Sequence, residues 1–341
     1  MVERNVLVCL GPAAGGRLEV REAPRPAPRA DEVEVSLAAA SVNPIDARRA
    51  EGYGQRLLSL LGAGRFPLAL GNDFAGTVTR VGVDVAAFKL GDCVYGVKPM
   101  SAEGTHTSHV LVQAAHLLLA PPGQDLQALA AIPYSFVTMW LAVRGAGLMP
   151  QNAAGKRVLV HGAAGGLGTL ALQMLSAWGA RVTAIARPSD FVACRAAGAS
   201  EVVDGTGKSF GTMAKAFDAT LNFAAWENDL ALVGCLREGA LGHATTVHPL
   251  LQNFDQLGWL RGALKTASDK RRHRAALPNG TSRYAWTTFR PEAEALIELR
   301  RLVEQRRVGL PIALQTPMAA SEKAFDHVGS HRRGRALIIP A

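Results

Sequence analysis

Cysteine is scarce in this sequence. Its four copies, Cys9, Cys93, Cys194 and Cys235, lie far apart and none belongs to a CxxC pair. That excludes a disulfide scaffold and reads as free thiols in a reducing compartment. Long apolar runs are missing too. The uncharged window Leu126–Val143 is interrupted by Pro133, and the window Val158–Ala180 by five glycines and His161. Neither reads as a membrane-spanning helix. The opening "MVERNVLVCLGP" places Glu3 and Arg4 before an apolar run too short for a secretory signal, so a cytoplasmic location is expected.

What is present is a basic chain of globular composition. Its 341 residues exceed one ordinary core, so two domains are expected. It is 48% hydrophobic with 35 glycines, which argues against disorder. The net charge is +9, and the densest basic clusters are "DKRRHR" (Asp269–Arg274) and "HRRGR" (His331–Arg335). Such a balance suits a nucleic acid, an anionic membrane surface, an anionic cofactor or simply a solvated face. No RNA-recognition aromatic signature or zinc-finger spacing accompanies the clusters, so nucleic acid is not expected.

Up to about residue 120 the chain alternates as strands do, with frequent Gly and Pro, in "DEVEVSLAAASVNP" and "FPLALGNDFAGTVTRVG". From Lys156 the rhythm becomes strand–helix–strand: "RVLVHG", "GLGTLALQMLSAWGA", "RVTAIA", "FVACRAAGA", "EVVD", then "FDATLNFA" and "ALGHATTV". This predicts an α/β protein with a parallel, doubly wound sheet. The segment 250–290 is the least readable.

"RVLVHGAAGGLG" carries the strongest local signal. Ala163-x-Gly165-x-x-Gly168 is the dinucleotide fingerprint with Ala for its first Gly, after a strand and before a helix. Gly165 admits a pyrophosphate, Gly168 lets the helix pack closely, and Gly166 and Leu167 begin a helix whose N-terminus faces the anion. After the second strand an acid would hold the ribose hydroxyl of NAD. Here "TAIARPSD" offers Arg187 and Ser189, which match a 2′-phosphate, while Asp190 reads as a helix cap. NADPH is the expected cofactor.

Asn72 and Asp73 interrupt an apolar run in "GNDFAG" (Gly71–Gly76). Buried without partners, each would cost about 1–3 kcal/mol. A metal, a ligand or a turn must compensate. His106-x-x-His109 is a metal pair on paper, but its setting reads as a strand surface and no third ligand lies nearby in sequence.

The order of parts, with "SVNPIDARRAEGYG", "FPLALGNDFAG" and "GKRVL", resembles the medium-chain dehydrogenase/reductase superfamily over nearly the whole chain. Within it the resemblance is strongest to zinc-independent quinone oxidoreductases and enoyl reductases, above all the reticulon-interacting protein subfamily. It implies a GroES-like β-rich catalytic domain at 1–125, completed by about 309–341. A Rossmann domain at 126–308 follows, with an irregular insertion near 250–290. Asn43 and Asn72 stand where the zinc alcohol dehydrogenases carry metal-site Cys and His residues, and a four-cysteine zinc lobe is absent, so no metal is expected.

The resemblance also assigns roles. Asn43 would hydrogen-bond cofactor or substrate and Asp46 would lie near the same place. Tyr53 matches the proton donor of the enoyl reductases. Thr138 would help to place the nicotinamide, near Thr245 and Thr246, and Arg335 would lie near the cofactor. The family's frequent Lys after the second strand and Tyr after the third are not matched, which leaves Arg187 and Ser189 to carry the NADPH preference. The implied activity is hydride transfer to a small hydrophobic quinone or enone. An ordinary tyrosine is a weak acid at neutral pH, so water competes with Tyr53 as proton source. A monomer or homodimer is expected, and the 250–290 segment would shape the substrate entrance or meet an anionic membrane surface. The alternative is an NADPH-binding sensor, scaffold or nucleic-acid binder without turnover.

Overall fold

The computed structural model describes residues 3–13, 15–206, 213 and 215–340. Two compact units emerge, one of residues 1–135, 290–304 and 309–341, the other of 136–289 and 305–308.

The first unit is built on antiparallel strands. Strands β1 (Glu3–Cys9), β2 (Leu18–Pro24) and β4 (Leu68–Ala69) form a small sheet in the order β2-β1-β4. The larger sheet contains β3 (Glu32–Val42), β5 (Asp73–Val81), β6 (Cys93–Val97), β8 (Leu117–Leu119), β15 (Ile312–Pro317) and β16 (Arg335–Ile339). Its order is β15-β16-β3-β5-β6-β8, and β7 (His109–Gln113) also pairs with β3. Strand β3 is therefore central, which is why its 11 residues are mostly buried rather than alternating. Val33, Val35, Phe74, Val78, Val94, Val110 and Val112 pack as one core cluster.

The run "FPLALGNDFAG" is broken rather than one strand. Gly71 has φ +96°, and a Cβ there would sit 2.4 Å from Thr105 Oγ1. Only glycine takes that turn without strain. The turn ends β4, and β5 begins at Asp73.

In the second unit β9 (Arg157–His161), β10 (Arg181–Ala186), β11 (Glu201–Asp204), β12 (Ala219–Asn222), β13 (Gly242–Thr245) and β14 (Arg283–Trp286) form one sheet. The order is β11-β10-β9-β12-β13-β14 with every pair parallel, the doubly wound order of a dinucleotide-binding fold.

Two boundaries differ from the expected ones. Residues 126–135 and the helix Ala293–Glu304 belong to the first unit. The helix Leu126–Ala130 packs on β3, β5 and β6, and Gln124 Nε2 donates to Val303 O at 3.0 Å. The expected irregular insertion near 250–290 is instead a helix, Leu250–Ala275, kinked at Gly258 (φ +75°, ψ −171°), followed by β14. The basic cluster Asp269–Arg274 thus lies on regular helix. The apolar signal was weak because most of this helix faces solvent. Among the described residues no helix is long and apolar enough to cross a membrane.

Glu34 on β3 is 1% exposed, with Arg25 Nη2 2.6 Å from Oε2 and Arg80 Nε 2.8 Å from Oε2. Burial alone would raise its pKa, but the hydrogen bonds from Arg80, Arg25 and Thr79 outweigh it and hold the carboxyl well below the usual range. The stability it contributes is therefore present above the usual carboxylate range and lost as pH falls through the depressed folded value. Glu34→Gln should cost about 3 kcal/mol in urea unfolding at pH 7. The gap between variant and parent should narrow in acid; a gap that stays constant down to pH 3 would contradict this assignment.

Candidate active site

The first unit concentrates its polar residues around Asp73, which is fully buried at the start of β5. Ser41 Oγ donates to Asp73 Oδ1 at 2.5 Å, Asn43 Nδ2 donates to the same oxygen at 2.9 Å, and the Tyr134 backbone N–H donates to Oδ2 at 3.0 Å. Arg335, at the start of β16, gives Nη2 to Ser41 Oγ at 2.8 Å and to Asn43 Oδ1 at 2.6 Å. Burial raises the Asp73 carboxyl, and although Arg335 and the hydrogen bonds from Ser41, Asn43 and the Tyr134 N–H oppose it, the net position is about 6. Burial likewise lowers the Arg335 guanidinium, and the Asp73 charge opposes that.

Asn43 stands before the helix α1 (Pro44–Ala50), whose third residue is Asp46. Asp46 Oδ2 accepts from the Asn43 N–H at 2.9 Å and Oδ1 from the Gly71 N–H at 3.0 Å. One carboxylate thus pins the entry to α1 to the turn before β5. The structure brings Asn43, Asp46 and Arg335 together. However, Asn43 is fully buried with both ends of its carboxamide engaged inside the protein. It is a positioning residue here.

Asn72 is only half satisfied, because Nδ2 donates to Lys98 O at 3.1 Å while Oδ1 has no hydrogen-bond partner. His106 is not on a strand surface. It is fully buried, with Nε2 3.0 Å from Ser41 O and its ring edge-on to Phe325, so it braces the strand that carries Ser41. His109, on β7, has Nδ1 3.2 Å from Ser108 Oγ.

Tyr53 lies past the other end of α1, and seven helical residues span about 10 Å. Its ring faces the Arg48 guanidinium, 3.5 Å from the ring centroid. It also lines a small hollow with Arg49, Leu58, Phe66 and Leu68.

The remaining candidates sit in the second unit, most of them at the C-terminal edge of its sheet. Ala163 follows β9, Arg187 follows β10 and Thr245 ends β13. Gly165 precedes the helix α5 (Gly166–Ala177), which starts with Gly166, Leu167 and Gly168. A Cβ on Gly168 would meet Gly162 O at 2.2 Å, so packing requires that glycine. A Cβ on Gly165 would meet only Gly162 O, at 3.4 Å. The fold does not need that glycine. The space it leaves open, before a helix N-terminus with no acidic residue in its first turn, fits a pyrophosphate.

Arg187 is two-thirds exposed and its Nε lies 3.5 Å from Asp190 Oδ2; Asp190 stands at the N-cap position of the helix Phe191–Ala196 but makes no side-chain capping hydrogen bond. Ser189 is exposed beside it. Thr246 continues from β13, its N–H donating to Asn222 O at 3.1 Å. Thr138 is buried in the helix Pro133–Gly145, one turn on from Tyr134.

Sequence reading missed Ser41 and a second buried cluster. Asp229 is fully buried, with Oδ1 2.9 Å from His243 Nε2 and 2.9 Å from Asn222 Nδ2, and Oδ2 3.4 Å from Tyr284 Oη. His161, next to the glycine turn, joins through Asn222 at 3.1 Å. The available signal was the polar residues inside apolar strands, His161 in "RVLVHG", Asn222 in "ATLN" and His243 in "GHAT".

The alcohol dehydrogenase GroES-like domain matches residues 29–122. NAD(P)H oxidoreductase RTN4IP1, mitochondrial, of Mus musculus is 32% identical over 326 residues, covering 90% of this chain and 81% of that protein. Reticulon-4-interacting protein 1, mitochondrial, of Caenorhabditis elegans is 30% identical over 347 residues, covering 95% and 92%. Trans-enoyl reductase RAP2 of Pyricularia oryzae is 32% identical over 205 residues, covering 56% and 54%. Among solved structures, the quinone oxidoreductase from Coxiella burnetii has a TM-score of 0.80 at 20% identity, covering 99% of both chains. The CurK enoyl reductase has 0.79 at 21%, covering 100% of both. These structural likenesses speak for the fold.

The fold and the sequence relationship together define a member of the medium-chain dehydrogenase/reductase superfamily. The chain belongs to the branch that contains the reticulon-4-interacting proteins. The mouse and nematode relatives are named mitochondrial, which overturns the cytoplasmic location expected from the first residues.

Three variants test the geometry. Ser41→Ala removes a donor to Asp73 and an acceptor for Arg335, so it should destabilise by about 1–3 kcal/mol. It should also move the Asp73 titration, followed by carboxyl NMR, above about 6. Gly168→Ala should cost about 1–3 kcal/mol by overpacking, while Gly165→Ala should cost less than about 1 kcal/mol in the same denaturation assay.

Proposed function

We propose that the chain is an NADPH-dependent oxidoreductase that passes hydride to a quinone or an α,β-unsaturated carbonyl without zinc. The observation that carries this reading is the open position at Gly165, where strand order reverses between β9 and β12. The relatives' names, NAD(P)H oxidoreductase and trans-enoyl reductase, support the same chemistry.

When bound, the dinucleotide supplies the hydride. The first backbone N–H groups of α5, from Gly166 to Gly168, would hold its pyrophosphate. Arg187 and Ser189 would hold the 2′-phosphate, with Arg187 leaving Asp190 to form a stronger charged pair. Thr138, Thr245 and Thr246 would orient the nicotinamide end.

The Asp73 network supplies rigidity. It holds Asn43 and the start of α1 in one arrangement and leaves no soft carboxylate to rearrange. Zinc would need about three ligands of Cys, His or carboxylate type. Asn43 and Asn72 bring carboxamides to the positions that match metal-site residues, and Asp73 is already committed to Ser41, Asn43 and Tyr134. Carbonyl polarisation is then left to hydrogen bonds. The proton comes from Tyr53 or from water.

The test is NADPH and NADH oxidation across a panel of quinones and enones. Turnover with NADPH is expected. Tight NADPH binding with no acceptor reduced would favour the sensor reading. Arg187→Ala should raise KM for NADPH at least tenfold more than KM for NADH, and equal effects would remove the 2′-phosphate contact. Unchanged turnover in Tyr53→Phe would assign the proton to water.

A further inference from the structure

The long helix α8 (Leu250–Ala275) has a face that the proposed reaction does not use. Its kink at Gly258 separates two arms. In the second arm, at about 100° per residue, Gly262, Thr266, Asp269 and His273 form one stripe. That stripe is anchored inward. A Cβ on Gly262 would meet Asn253 O at 2.8 Å, Asn253 Nδ2 lies 3.2 Å from Thr266 Oγ1 and 3.3 Å from Asp269 Oδ2, and the His273 ring lies 4.2 Å from that of Trp226.

The opposite pole is fixed outward as a consequence. It carries Leu260 and Leu264, 75% and 64% exposed, with Ala267 and Arg271 continuing the line. Trp259, 48% exposed, and Leu257, 42% exposed, widen the apolar end. Arg261, Lys265 and Arg272 flank one side, and Lys270 and Arg274 the other, all of them exposed. The one acid between Gln256 and Ala276 is Asp269, which is on the inner stripe and already holds Lys265. An apolar ridge between rows of lysine and arginine, with no outward acid, is the pattern of a helix that lies in a lipid interface.

We propose that this face of α8 docks the protein on an anionic lipid bilayer. Leu260, Leu264 and Trp259 would enter the headgroup boundary while the flanking cations meet lipid phosphates. Charge complementarity selects this occupant, because an uncharged apolar partner would leave the flanking cations without counter-charge. The helix lies on the membrane and does not cross it. The proposal does not depend on the acceptor or on the cofactor.

Co-sedimentation of the full chain with vesicles of phosphatidylcholine alone, and with about a third phosphatidylglycerol, tests it. Binding should require the anionic lipid and weaken in high salt. Arg271→Gln with Arg272→Gln should lower affinity about twenty-five-fold, at about fivefold per cation. Leu260→Ser with Leu264→Ser should lower it about tenfold or more while leaving thermal melting unchanged, since both side chains are exposed. Equal binding to neutral vesicles, or leucine variants that bind like the parent, would overturn the proposal. So would salt-sensitive binding of single-stranded RNA without vesicle binding, which would assign the cations to nucleic acid. A dimer that Leu260→Ser dissociates, again without vesicle binding, would assign the ridge to a second copy and overturn it equally.

Discussion

The buried charge of Arg335 is the constraint on which the first unit turns. A guanidinium inside a protein must find a counter-charge and hydrogen-bond acceptors, or the folded state loses several kcal/mol. Asp73 supplies the counter-charge, and Ser41 and Asn43 accept from Nη2. These groups come from β16, β5, β3 and the entry to α1, so one polar cluster ties together segments up to 294 residues apart. Asp46 extends the tie to the turn at Gly71, and the Tyr134 N–H extends it to the start of the helix Pro133–Gly145. Apolar packing alone would let these strands slide. Hydrogen bonds of fixed direction give them one register.

The same cluster explains the acid of the polar pair in "GNDFAG". Asp73 keeps its carboxylate inside the protein because Ser41, Asn43 and the Tyr134 backbone N–H all donate to it. Asn72 lies outside that cluster, held by one hydrogen bond to Lys98 O.

In the second unit the controlling feature is smaller. Gly168 is demanded by packing and Gly165 is not. Two glycines three residues apart therefore have different causes, one the approach of helix to strand and the other space for a ligand. The Asp229 cluster lies behind this turn, linked through Asn222 to His161, and gives the sheet edge beneath the turn a hydrogen-bonded backing.

The sequence by itself determined the local features. Period and glycine spacing identified β9, the helix after it, β10 to β13 and the phosphate turn, because these depend on neighbours within a few residues. The resemblance of "SVNPID" and "RRGRALIIP" to a known family brought Asn43, Asp46 and Arg335 to attention. Tertiary structure alone decided how those side chains are used. It engaged the Asn43 carboxamide on both sides, buried His106 and left Tyr53 beside Arg48, past the far end of α1. It also added β14 to the sheet and placed the basic cluster on a regular helix. The physical reason is the same in each case. Hydrogen-bond partners and burial are set by residues distant in sequence, and no local pattern encodes which of them will arrive.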